Sequence, residues 1–164
     1  FRAAMTGHQV FSTLHTNSAI GAIPRLLDIG VLPDIMAGNI IGVIAQRLVR
    51  RLCVHCKSSY QAEAHETLLL GGAADSPRPV IFRPSGCERC DFQGYRGRLA
   101  IMEIMRMNTD IDELIARRST AKEMRQLAEQ QGFVTLAEDG LRRVLDGSTS
   151  LEELGRVIDL TDRM

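Results

Sequence analysis

Tryptophan is absent from the 164 residues, and aromatic residues make up only 4% of them. The core must therefore be filled by aliphatic side chains and by the 7 methionines, which adapt to irregular gaps. Lysine is scarce. Lys57 and Lys122 follow Cys56 and Ala121, so neither completes the G-x-x-x-x-G-K-[ST] loop that cradles nucleotide phosphates. Any phosphate cradle is expected to lie outside this sequence. Net charge is also absent, at +0, which gives no global argument for a nucleic acid or an anionic membrane as partner. Long apolar runs are missing too. The longest, "IMAGNIIGVIA" at 35–45, is interrupted by Asn39 and falls short of the roughly 20 residues that span a bilayer. The N-terminus has no charged n-region followed by an apolar h-region, so a secretory leader is not expected.

What is present is a soluble globular composition, 45% hydrophobic and 24% charged, with its charge unevenly spread. Residues 1–57 hold six Arg or Lys against two Asp or Glu, whereas residues 107–164 hold eight against twelve. An anionic ligand belongs near the basic front. The segment "HQVFSTLH" (8–15) has the β-branched and aromatic content of a strand. Residues 17–30 fit a helix capped by Asn17 or Ser18 and stopped by Gly30, with Pro24 delaying or kinking its start. Apolar residues from Ile35 to Leu48 recur at helical spacing, which predicts a second helix to about Arg51. "PVIFRP" (79–84) and "GRLAIMEIMRM" (97–107) are strand candidates. Four short helices are expected at about 109–118, 121–131, 135–146 and 151–158, with capping-box spacing at Thr120/Glu123 and Ser150/Glu153. The strand and helices ahead of Cys53 suggest the second half of an α/β layer structure.

The strongest local signal is a pair of matched Cys-x-x-Cys motifs, Cys53/Cys56 and Cys87/Cys90. Two residues between cysteines let both thiolates turn onto one ion, and a second such turn completes a tetrahedral zinc site. A closed four-sulfur site stabilises and does not catalyse. His55 and His65 could substitute as ligands, and a redox pair, disulfides or free thiols remain alternatives. His15 ends the expected strand, where α/β sheets bind ligands, and a helix start follows it. It is a candidate for function or a structural strand-end histidine; His8 is the lesser candidate. Gln46 and Arg47, with Arg50 and Arg51, occupy the expected helix end. There the arginines either complement the helix dipole or contact a nucleotide or neighbouring subunit.

Taken in order, "TGHQVFSTLHTNSA", "RLLDIGV", "GVIAQRLVRRLCVHCK" and "GCERCDFQGYRGRLAIMEI" closely resemble the secretion ATPases of type II secretion and type IV pilus assembly. The resemblance implies a RecA-like P-loop motor that hydrolyses ATP with Mg2+ as a homo-hexameric ring. It implies a place on the cytoplasmic face of the bacterial inner membrane, beside an inner-membrane platform and cytoplasmic assembly proteins. It makes "STLHTN" the family's histidine box, with His15 near the γ-phosphate and His8 in the same box. Gln46 and Arg47 become nucleotide-binding candidates, and the four cysteines match the family's tetracysteine zinc subdomain. The Walker A loop, aspartate box and Walker B segment of that family all precede the histidine box. The sequence is thus expected to be a C-terminal fragment, inactive as an ATPase by itself. Its expected organisation is residues 1–52 from the RecA-like core, 53–98 as the zinc subdomain and 99–164 as a helical subdomain. A zinc-ribbon module that binds protein or nucleic acid without nucleotide chemistry is the alternative, and the neutral charge argues against nucleic acid.

Overall fold

The structure, a computed structural model, describes residues 1–73 and 76–160. Helices and strands are mixed along the chain: α1 (Arg2–Met5), α2 (Ala22–Asp28), α3 (Pro33–Met36), β1 (Gly42–Leu52), β2 (Ser58–Gln61), α4 (Ala64–Leu69), β3 (Val80–Arg83), β4 (Tyr95–Arg106), α5 (Thr109–Ala116), α6 (Ala121–Gln130), α7 (Leu136–Leu145) and α8 (Leu151–Val157). β1 pairs with β4 and β2 with β3. The second pair is antiparallel, with Ser58 opposite Arg83 and Gln61 opposite Val80. No helix among the described residues is long and apolar enough to cross a membrane.

The chain forms two compact units, each built from two segments. The first joins Phe1–Ala45 to Glu103–Thr135. Its core is aliphatic and methionine-filled, as the missing aromatics require: Ile23, Met36, Ile111, Ile115 and Met124 are buried. α5 packs on α3 and α6 on α5. Pro24 falls at the third position of α2, where a missing N–H costs nothing because the first turn has no internal acceptors. α2 starts late, as Pro24 anticipates, but its N-cap is Gly21 with no side-chain cap, not the expected Asn17 or Ser18. Asn108 caps α5 by accepting the Ile111 N–H at 3.0 Å, and Thr120 with Glu123 forms a reciprocal capping box on α6.

The second unit joins Gln46–Met102 to the chain from Leu136. α7 packs on α8 and on β3. Ser150 caps α8 by accepting the Glu153 N–H at 3.1 Å. Glu153 does not return the bond. Its buried carboxylate instead accepts the Arg50 backbone N–H at 3.0 Å and the guanidinium at 2.8 and 2.5 Å. That guanidinium lies 4.1 Å over the Tyr95 ring, whose hydroxyl meets Ser150 at 2.7 Å. Lys57 donates to the Gly147 carbonyl at 2.7 Å and lies 4.4 Å over the Phe82 ring.

Two expected elements are overturned. The helix to Arg51 is instead the short α3 followed by strand β1. Burial there alternates in the period of a strand, with Ala45 and Val49 inward and Ile44, Gln46 and Leu48 outward. Ile40, Ile41, Val43, Ile44 and Val49 are β-branched, and a partner strand from far along the chain outweighs a spacing that also suits a helix. Arg47, Arg50 and Arg51 therefore lie on a strand, not at a helix C-terminus. The strand at 8–15 is also missing: residues 8–16 hold no regular secondary structure. Its ladder groups find no neighbouring strand among the described residues, and a lone strand is not stable in water.

Candidate metal centre and histidine segment

Cys53 directly follows β1, Cys56 closes the turn after it, and Cys87 and Cys90 flank a single 3-10 turn at Glu88–Cys90. The backbone pins the two turns together, since the Cys53 N–H donates to the Gly94 carbonyl at 2.9 Å. All four Sγ atoms lie within 4.8 Å of one another, an arrangement that can hold a metal ion. They are free cysteines, with Cys53–Cys87 at 3.9 Å and both Cys56–Cys90 and Cys87–Cys90 at 3.8 Å between sulfurs. A disulfide would need about 2.0 Å. Around one ion with metal–sulfur bonds of roughly 2.3 Å, tetrahedral geometry sets sulfur–sulfur edges at about 3.8 Å. Three of the six sulfur–sulfur edges are at that spacing, and the others lie within 4.8 Å. Among the described residues, this is the one group of three or more His, Cys, Asp or Glu close enough to share an ion.

The surrounding backbone favours thiolates. Gly86 and Cys87 donate N–H groups to the sulfurs of Cys56 and Cys90 at 3.3 Å, and Gly94 donates to Cys90 at 3.2 Å. Burial of Cys90 opposes its thiolate, but the Cys87 and Gly94 amides and the neighbouring thiols outweigh it and bring Cys90 down to about 7. Burial drives Cys56 the other way, up to about 11, with the Gly86 amide opposing and the other thiols adding to it. Both donor glycines are required by their backbone. Gly86 has φ +98 and a Cβ there would lie 2.6 Å from the Phe92 carbonyl; Gly94 has φ +75 and a Cβ would lie 2.4 Å from Pro84. Neither glycine was singled out by spacing, yet both flank the second motif in "SGCERCDFQGY". His55 is outside the cluster, with an Arg89 nitrogen 3.2 Å from both of its ring nitrogens. His65 pairs with Glu63 at 3.5 Å.

The remaining candidates are not gathered in this way. His8 and His15 are both exposed, on the segment without regular structure. The His8 Nδ1 is 3.0 Å from the Thr6 hydroxyl. His15 therefore does not end a strand; it precedes a tight turn through Asn17–Gly21 that leads into α2. Gln46 is exposed in β1, and Arg47 beside it is half-buried and donates to the Gln46 carbonyl at 2.9 Å. The histidines belong to the first unit and Gln46, Arg47 and the cysteines to the second.

The family described as type II/IV secretion system protein matches residues 1–156. The chain is 46% identical over 156 residues to the type II secretion system protein E of Pseudomonas aeruginosa, covering 95% of this chain and 31% of that protein. It is 43% identical over 159 residues to the type IV pilus assembly ATPase PilB of Thermus thermophilus, covering 96% of this chain and 18% of that protein. With the type II secretion system ATPase E of Vibrio cholerae the identity is 40% over 156 residues, covering 95% and 31%. The chain spans about a third or less of the length of these relatives.

Proposed function

The chain belongs to the type II/IV secretion system protein family, and from that membership we propose that it is part of an ATPase that powers type II protein secretion or type IV pilus assembly. The observation that carries this reading is the match over residues 1–156, which takes in the histidine segment and both cysteine pairs. In this reading residues 1–52 complete a RecA-like nucleotide-binding core, and residues 99–164 form the helical subdomain. Residues 53–98 form a zinc subdomain. The parent protein supplies the ATP phosphate cradle and the Mg2+ ligands, so this chain alone does not turn over ATP. The parent acts as a homo-hexameric ring against the inner-membrane platform, on its cytoplasmic face.

Cys53, Cys56, Cys87 and Cys90 hold Zn2+, which supplies a structural cross-link and leaves no open position for water. His15 faces the γ-phosphate, where a neutral imidazole donates one hydrogen bond to the phosphate or to the attacking water. It thereby reports whether that phosphate is present. His8 supports the same segment, and Gln46 and Arg47 contact nucleotide or the neighbouring subunit.

The test is His15→Ala in the full-length parent. ATP turnover should fall at least tenfold, about 1.4 kcal/mol of lost transition-state stabilisation, with melting temperature and hexamer formation near wild type. Normal turnover, or a loss that follows unfolding, would overturn the role of His15. His8→Ala should have the smaller effect.

A further inference from the structure

One residue on β4 breaks its pattern. Ile101, Glu103 and Met105 are buried at alternate positions, while Met102, Ile104 and Arg106 are exposed. Glu103 thus occupies the apolar face of the strand, only 4% exposed. A carboxylate is costly to bury unless its oxygens are bonded. Here Oε1 accepts the backbone N–H of Ala19, itself fully buried and 84 positions away, within the same unit. A carboxylate makes a stronger acceptor for such an amide than a neutral carbonyl does.

Ala19 lies in the turn that leaves His15 and enters α2. Several bonds of that turn are local. Thr16 Oγ1 donates to the Ser18 carbonyl at 3.1 Å, and Ser18 Oγ accepts the Gly21 N–H at 3.0 Å. The Ala22 and Ile23 amides reach back to the carbonyls of Ala19 and Ile20 at 3.2 Å. Local bonds shape a turn without deciding where it points. The Ala19 amide on Glu103 ties it to a strand that the chain makes much later.

We infer that Glu103 is a positioning residue for the histidine segment: by holding the Ala19 amide it fixes the turn from which the exposed His15 extends. The functional consequence rests on the reading of His15 as the group that meets the nucleotide. An apolar residue of similar volume would fill the same space on β4, but it would leave a buried amide without its acceptor.

Two variants test this in the full-length parent. Glu103→Met keeps the volume and removes the acceptor; Glu103→Gln keeps an oxygen for the Ala19 amide. Glu103→Met should lower kcat for ATP about tenfold, as small misplacements of a catalytic group do, and Glu103→Gln should recover most of it. Added to His15→Ala, Glu103→Met should lower kcat no further, because it acts through His15. A full multiplicative loss in that background would overturn the inference. A second readout separates this inference from the role of His15. In the 164-residue chain, Glu103→Met should shift the ring 1H–15N signals of His15 and speed amide exchange at Ala19. Unchanged ring signals overturn positioning by Glu103 whatever the activity does. Shifted ring signals with normal turnover in His15→Ala would support the positioning and remove its nucleotide role. If Glu103→Met does not fold, Glu103→Gln carries the readouts: a shift smaller than that of His15→Ala on its neighbours, with near-normal kcat, supports the inference, and a tenfold loss of kcat with unshifted signals overturns it.

Discussion

The cysteine cluster and the histidine segment are built in opposite ways. The cluster has four sulfurs at metal-binding spacing, three backbone amides aimed at them and two glycines in conformations that other residues resist. The histidine segment has no regular secondary structure at 8–16, and Phe11 within it is 87% exposed. A motif whose ligands sit two residues apart closes on itself and carries its geometry with it. A histidine that reads a nucleotide depends on partners supplied from elsewhere, so its own surroundings say little. Under the proposed function, stability belongs to the first site and activity to the second.

Breaking the cluster should have the largest effect. Cys87→Ser with Cys90→Ser should take bound zinc from about one per chain to none by elemental analysis. Structural zinc supplies on the order of 10 kcal/mol in small zinc-binding peptides, so amide exchange across 53–98 should rise far more than across 109–130. Zinc content that survives the double substitution would remove the site.

An intermediate effect is expected at Glu153, which lies in the same unit but outside the cluster. Glu153→Ala leaves the Arg50 guanidinium without its buried partner and should cost about 2 kcal/mol, discounted because Arg50 is partly exposed. Burial raises the Glu153 pKa, but the bonds from Arg50 outweigh it and hold it below 4.5. A depressed folded-state pKa contributes stability above the unfolded value and loses it as pH falls through the folded one. Acid titration of unfolding should therefore show wild type losing more stability than Glu153→Gln below about pH 4.5. Parallel curves would show that the pair contributes nothing.

The smallest change in stability is expected at His15. His15→Ala removes an exposed side chain and should shift unfolding by less than about 0.5 kcal/mol in denaturant titration. A loss of 2 kcal/mol would erase the contrast and make His15 a structural residue.

Much of the second half was readable because its signals are local. α5 to α8 fall close to the helices expected from caps and glycine stops, and Thr120 with Glu123 forms the box its spacing implies. The cysteines were readable for the same reason. β1 was not, because its apolar spacing suits a helix until β4 is brought beside it, and that pairing is non-local. Ser150 caps α8 as expected, yet Glu153 is drawn to Arg50 across 103 positions. Glu103 offered a faint signal, a lone carboxylate on the inward period of an apolar strand, but its partner at Ala19 could not be found from spacing.

The interleaved segments of the two units bear on how the chain is made. α3 of the first unit packs on α5, so α3 leaves the ribosome long before α5 exists to pack on it. All of 46–102 emerges in between, and that stretch in turn waits for the residues from Leu136. Neither unit can close until its own second segment has been made. The first is completed at Thr135 and the second only afterwards. Until then the nascent chain presents open apolar faces, the condition under which chaperones engage and misassembly begins.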